Sequence, residues 1–137
     1  MLGTRETPRR PHLLLVDDCV PQRDLYELVL QSEFEVITAT RGAEGVALAT
    51  KECPDVVVLD VMMPGVDGWE VCTQLKSHWR TANVPVILLT GADDGDLSRH
   101  AMAVGATAVL KKPCPANVLR QAISTALEDS DSTSSKR

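Results

Sequence analysis

Three aspartates, a threonine and a lysine are the residues of this chain whose types suit chemistry on a phosphate-like oxyanion: Asp17 and Asp18 in tandem, then Asp60, Thr90 and Lys112. Each stands at the end of a short apolar run. His12-Val16 leads into Asp17-Asp18, Asp55-Leu59 into Asp60, Pro85-Leu89 into Thr90, and Thr107-Leu110 into Lys111-Lys112-Pro113. Three carboxylates gathered within a few ångströms raise one another's pKa unless a cation sits among them. Oxygen ligands without His or Cys point to Mg²⁺, which takes one to a few carboxylates and completes its octahedron with water and phosphate oxygens. Such a cation keeps the carboxylates ionised and ready as nucleophiles. A lysine and a hydroxyl facing the same point supply the remaining phosphoryl oxygens with a charge and a hydrogen bond.

Taken singly, most of these residues have a plainer explanation. Asp17-Asp18 suits an Asx turn leading into a helix, Thr90 a strand end, and Lys112 before Pro113 a solvated loop. Asp60 is harder to dismiss. It closes a wholly apolar run, and Met62-Met63-Pro64-Gly65 intervenes before the next helical stripe, so helix capping does not account for it. One shared site explains all four run ends at once.

The elements that must position these residues follow from periodicity. Five apolar runs, the fifth being Glu35-Ala39, alternate with stretches of helical period. Val56-Val57-Val58-Leu59 and Val86-Ile87-Leu88-Leu89 are apolar on consecutive residues, the pattern of strands covered by helices on both faces. Helical stripes are expected at Leu25, Leu28 and Val29; at Ala43, Val46, Ala47 and Ala49, weakened by Gly45; at Trp69, Cys72 and Leu75; at Leu97, Ala101 and Val104; and at Val118, Leu119, Ala122, Ile123 and Ala126. Pro21 suits a first helical turn, Asp93 can cap the fourth helix and Gly105 can end it. The order is βαβαβαβαβα. Strict alternation predicts an α/β fold with a five-stranded parallel sheet and helices on both faces, and the flavodoxin-like (βα)5 strand order 2-1-3-4-5 is the leading choice at this length. In that order the ends of strands one, three, four and five share one edge, where ligands bind in such sheets.

With 137 residues the chain suits one domain. Residues 1–10 and 128–137, rich in charge, Ser, Thr and Pro, are expected to be a flexible N-terminal segment and a flexible tail or linker around a folded body of 11–127. The net charge of −5 and the lack of a basic stripe beyond Arg5, Arg9 and Arg10 argue against direct nucleic-acid binding. No apolar run approaches the ~20 residues of a membrane span, so a soluble, cytoplasmic protein without a membrane partner is expected. Cys19, Cys53, Cys72 and Cys114 form no C-x-x-C pair, and His12, His78 and His100 are isolated, so neither set suggests a metal site.

These residues resemble the response-regulator receiver family (CheY-like) of two-component signalling over nearly the whole folded body. Asp17-Asp18 resembles its acidic metal-binding pair. Val58-Leu59-Asp60-Val61-Met62-Met63-Pro64-Gly65-Val66-Asp67-Gly68 resembles the segment around its phosphoacceptor, Thr90 its hydroxyl position, and Lys112-Pro113 its lysine followed by proline. The resemblance implies that Asp60 accepts a phosphoryl group from a histidine kinase or phosphotransfer protein, and that Mg²⁺ is held by Asp17, Asp18, Asp60 and the backbone carbonyl of Met62. It also implies a cis peptide at Pro113. An output partner or fused output domain is expected at the helix 4, strand 5, helix 5 face, and a homodimer is compatible with it. One departure is Val109, where the family commonly carries an aromatic ring that transmits the signal; Cys114 likewise replaces a frequent Phe.

Three rivals remain. An aspartyl-phosphate phosphatase usually has a second aspartate two residues after the nucleophile, where this chain has Met62. A flavin carrier needs a Ser/Thr/Gly phosphate loop where Asp17-Asp18 would repel the phosphate. A receiver-like scaffold acting by protein contacts without phosphorylation draws its support from Val109. No effector module is visible after Leu127, so a stand-alone receiver and a piece of a longer chain are both open.

Overall fold

A computed structural model describes residues 9–91 and 96–135, with side chains to residue 130. The order is β1 (His12–Val16), α1 (Val20–Leu30), β2 (Glu35–Ala39), α2 (Gly42–Glu52), β3 (Val56–Asp60), α3 (Gly68–Lys76), β4 (Val86–Thr90), α4 (Leu97–Val104), β5 (Ala108–Lys111) and α5 (Ala116–Ser135). The five strands are parallel in the order β2-β1-β3-β4-β5, as the alternation predicts. Every residue of β3 and β4 is buried.

Alternation along the strands divides the interior into two layers. Leu13, Leu15, Val56, Val58, Ile87 and Leu89 face α1 and α5, meeting Tyr26, Leu30, Leu119 and Ile123. Leu14, Val16, Val57, Leu59, Val86 and Leu88 face the other way, against Ala49, Val71, Cys72 and Leu75 of α2 and α3. Register then sets the site. Val16 lies beside Leu59, so Asp17 and Asp60 leave the sheet as neighbours, and Thr90 lies beside Lys111.

Two expectations are corrected. On α1 the buried residues are Tyr26 and Leu30, whereas Leu25 is 57% and Leu28 63% exposed. Tyr26 takes the core position because its ring fills the space and its hydroxyl donates to the Cys114 carbonyl at 3.1 Å. On α2, Ala43 and Ala47 are exposed, and Gly42, Gly45 and Ala49 form the packed face. Gly45 is a point of close approach: a Cβ there would lie 2.9 Å from Val16 Cγ2 and 3.2 Å from its Cγ1. At the C-terminal end, α5 runs through Ser135, past residue 127. Once Leu119, Ile123 and Ala126 anchor the helix, further residues add backbone hydrogen bonds without a new nucleation cost.

At the other end, Arg10 of the expected flexible segment donates to the Gln31 carbonyl and pairs with Glu35. Gly105 ends α4 in the left-handed conformation at φ 82°, and Pro21 lies in the first turn of α1. Asp93 lies outside the described residues; α4 begins after Asp96. All four cysteines are free, and burial pushes the Cys72 thiol up to about 11.

Candidate functional site

β3 delivers Asp60 to the carboxyl edge of the sheet by running apolar residues through the core up to that point. The carboxylate is buried, at 3% exposure. Its chain direction is fixed on both sides. The Val61 N–H donates to the Leu89 carbonyl at 2.9 Å, and the Gly68 N–H donates to the Val61 carbonyl at 2.9 Å. Gly68 is required for that closure, since a Cβ there would lie 2.5 Å from the Asp60 carbonyl oxygen and 2.6 Å from Val61 Cα. The cap of α3 is supplied by Asp67, whose carboxylate accepts the Glu70 N–H at 2.9 Å. Asp60 therefore has no capping duty.

Asp17 is 1% exposed. Its Oδ1 accepts the Cys19 N–H at 2.9 Å, an Asx turn of the kind its position suggests, and its backbone N–H donates to Ala39. The turn and the site therefore coexist. Asp17, half-buried Asp18 and Asp60 each present a carboxylate oxygen within 4.8 Å of the others. The donor set is oxygen only and partly screened from water, which fits a hard divalent cation such as Mg²⁺.

Lys112 places its Nζ 3.0 Å from Asp60 Oδ1. The Lys112–Pro113 peptide is cis. Thr90 is fully buried at the end of β4, and its carbonyl accepts the Lys112 N–H at 2.8 Å. Burial pushes the Asp60 carboxyl above its ordinary value; Lys112 pulls it back and the Asp17 charge raises it further. Beside Asp60 lies a cleft lined by Val61, Met62, Met63, Pro64, Asp67 and Trp69, with Met62 64% exposed. Val109 is half-buried on β5, opposite Leu88.

The five residues singled out by spacing thus meet at one edge. Spacing did not reveal Gln22, whose side-chain amide donates to Asp17 Oδ2, or Arg23, which donates to the Asp17 carbonyl at 3.2 Å and to Thr40 Oγ1 at 2.9 Å. Their signal was faint: two polar residues in the first turn of a helix that starts just after the acidic pair. The stack of Trp69 on His100, with ring centroids 3.7 Å apart, was also unforeseen. It joins α3 to α4.

A doubly wound parallel sheet with a carboxylate cradle and a lysine at its topological switch point defines a class, that of α/β proteins that gather an oxyanion or a cation at the carboxyl edge. Comparisons narrow it. Residues 13–124 match the response regulator receiver domain family. Protein PilH of Pseudomonas aeruginosa is 35% identical over 118 residues, 84% of this chain and 96% of PilH. Response regulator PleD of Caulobacter vibrioides is 40% identical over 102 residues, 74% of this chain but only 22% of PleD. The chemotaxis protein CheY4 of Vibrio cholerae superposes with a TM-score of 0.81 at 30% identity, covering 85% of this chain and 98% of that one. The chain belongs to the response regulator receiver family, the signalling-switch domain of two-component regulators. No described helix is long and apolar enough to cross a membrane.

Proposed function

We propose that this chain is a phosphorelay receiver in which Asp60 accepts a phosphoryl group from the phosphohistidine of a histidine kinase or phosphotransfer protein in the cytoplasm. The observation that carries this reading is the buried Asp60 carboxylate, 3.0 Å from Lys112 Nζ and grouped with Asp17 and Asp18 within 4.8 Å. An Asp60 oxygen attacks phosphorus as the phosphorus–nitrogen bond of the donor breaks, leaving an acyl phosphate on Asp60 and the imidazole on the donor. Asp17, Asp18, Asp60 and the Met62 backbone carbonyl are the groups that would hold Mg²⁺. When bound, Mg²⁺ neutralises charge on the carboxylates and on the transferring group.

The remaining work falls to this chain's own residues. Lys112 exchanges its Asp60 partner for a phosphoryl oxygen, and the Thr90 hydroxyl donates to another, so catalysis is mostly positioning and charge compensation. Phosphorylation replaces one negative charge by about two, with three acceptor oxygens, which draws Thr90 and Lys112 inward. The loop after β3 then repacks and alters the α4, β5, α5 face offered to an output partner or fused domain.

Val109 supports a second reading, a receiver that works by protein contacts alone, because it lacks the ring that would register the Thr90 movement. Incubation with Mg²⁺ and acetyl phosphate, or with a phosphorylated kinase domain, separates the two. A single hydroxylamine-labile phosphoryl group, absent from Asp60→Asn, is expected. No adduct from either donor would leave the contact-only reading.

A further inference from the structure

Both oxygens of the Asp17 carboxylate are already engaged within the protein. Oδ1 accepts the Cys19 N–H at 2.9 Å, and Oδ2 accepts the Gln22 Nε2 donor at 2.5 Å. The first bond is set by the backbone. The second is made by a half-buried side chain, in the first turn of α1, directed at a carboxylate that is 1% exposed. An ionised carboxylate only accepts, so the amide nitrogen, and not its oxygen, must face Asp17.

The position of Gln22 explains why it turns this way. It is the third residue of α1, where a glutamine ordinarily reaches back to the N–H of the capping residue. Here that residue is Cys19, its side chain makes no cap hydrogen bond, and its N–H is already taken by Asp17 Oδ1. The Gln22 amide is left to donate to Asp17 itself. Arg23, the next residue, grips the Asp17 carbonyl and Thr40 and leaves the carboxylate alone.

We propose that Gln22 is a positioning residue for the cation site, holding the Asp17 carboxylate in the rotamer that receives Mg²⁺. Each carboxylate oxygen has about two lone-pair directions. One donor on each oxygen leaves a free direction on both for the cation. Because the amide is neutral, it orients Asp17 without supplying a positive charge that would compete with Mg²⁺, as a lysine or arginine at this position would. Partners of this kind behind a metal ligand commonly change metal affinity by about 10–100-fold when removed.

The inference rests on the reading of Asp17 as a ligand, and the test keeps the two apart. Mg²⁺ is titrated calorimetrically into the full chain without a phosphodonor, comparing wild type, Gln22→Met and Gln22→Ala, with thermal unfolding followed in EDTA. Methionine keeps the length and apolar stem of glutamine and lacks the donor; alanine removes both. Positioning predicts that both variants bind Mg²⁺ about 10-fold more weakly or worse, while both still unfold cooperatively in EDTA. A packing role predicts that Gln22→Met binds like wild type and only Gln22→Ala suffers, which overturns the inference and leaves the Mg²⁺ site standing. Wild-type protein that binds no Mg²⁺ overturns both.

Discussion

Asp60 is a carboxylate held where a carboxylate is costly, buried at a sheet edge beside Asp17 and Asp18, with Lys112 Nζ 3.0 Å away. Burial and Asp17 outweigh Lys112, so its pKa lies above the ordinary value. The native state therefore holds the proton to higher pH than the unfolded chain does. The contribution of Asp60 to stability falls as pH rises through the window between its unfolded and folded pKa values, and it stays low above that window. Asp60→Asn should be more stable than wild type in EDTA at pH 7, and the two should converge in acid below that window. Urea unfolding at several pH values checks this. Removing the lysine acts in the opposite direction. Lys112→Met strands a buried charge and should cost roughly 1–2 kcal/mol at neutral pH, discounted because the Lys112 side chain is 21% exposed. The double variant with Asp60→Asn should recover most of that loss.

The elements were more legible in the sequence than the faces they bury. Short consecutive apolar runs in β3 and β4, bounded by turn residues, read as strands covered on both sides, and the acids, Thr90 and Lys112 punctuate strand ends, so the edge and its occupants followed from pattern. On α1 the pattern was ambiguous: Leu25, Tyr26, Leu28, Val29 and Leu30 are all apolar, and two overlapping stripes fit the helical period equally well. The choice falls to Tyr26 through its bond to the Cys114 carbonyl, 88 residues away, a partner no local window contains. Glycines misled in the same way. Gly45 registers in sequence only as a weak helix position, yet it lets α2 approach Val16. Gly68 matters more, because its would-be Cβ meets the Asp60 and Val61 backbone, which cannot rotate away. Gly68→Ala should therefore destabilise by roughly 2 kcal/mol or more despite the higher helix propensity of alanine. It should also weaken Mg²⁺ binding more than Gly45→Ala, because only the former pushes on Asp60. Chemical denaturation with a parallel Mg²⁺ titration distinguishes these two effects.

Across the whole molecule, one edge of the sheet gathers the charged groups while two apolar layers hold the strands that carry them. Contacts also link the segment after Asp60 to α4: Gly68 closes on Val61, and the next residue, Trp69, stacks on His100 of α4. Val109 carries no ring where the family resemblance implies one, and the output surface could not be inferred from strand ends alone. The claim on which everything else depends is that Asp60 is the phosphoacceptor. Intact-protein mass spectrometry after incubation with Mg²⁺ and either acetyl phosphate or a phosphorylated kinase domain tests it directly. A single phosphoryl adduct on wild type, lost on EDTA addition before the donor and absent from Asp60→Asn, is the predicted result. An undiminished adduct on Asp60→Asn, or none on wild type with both donors, would contradict it.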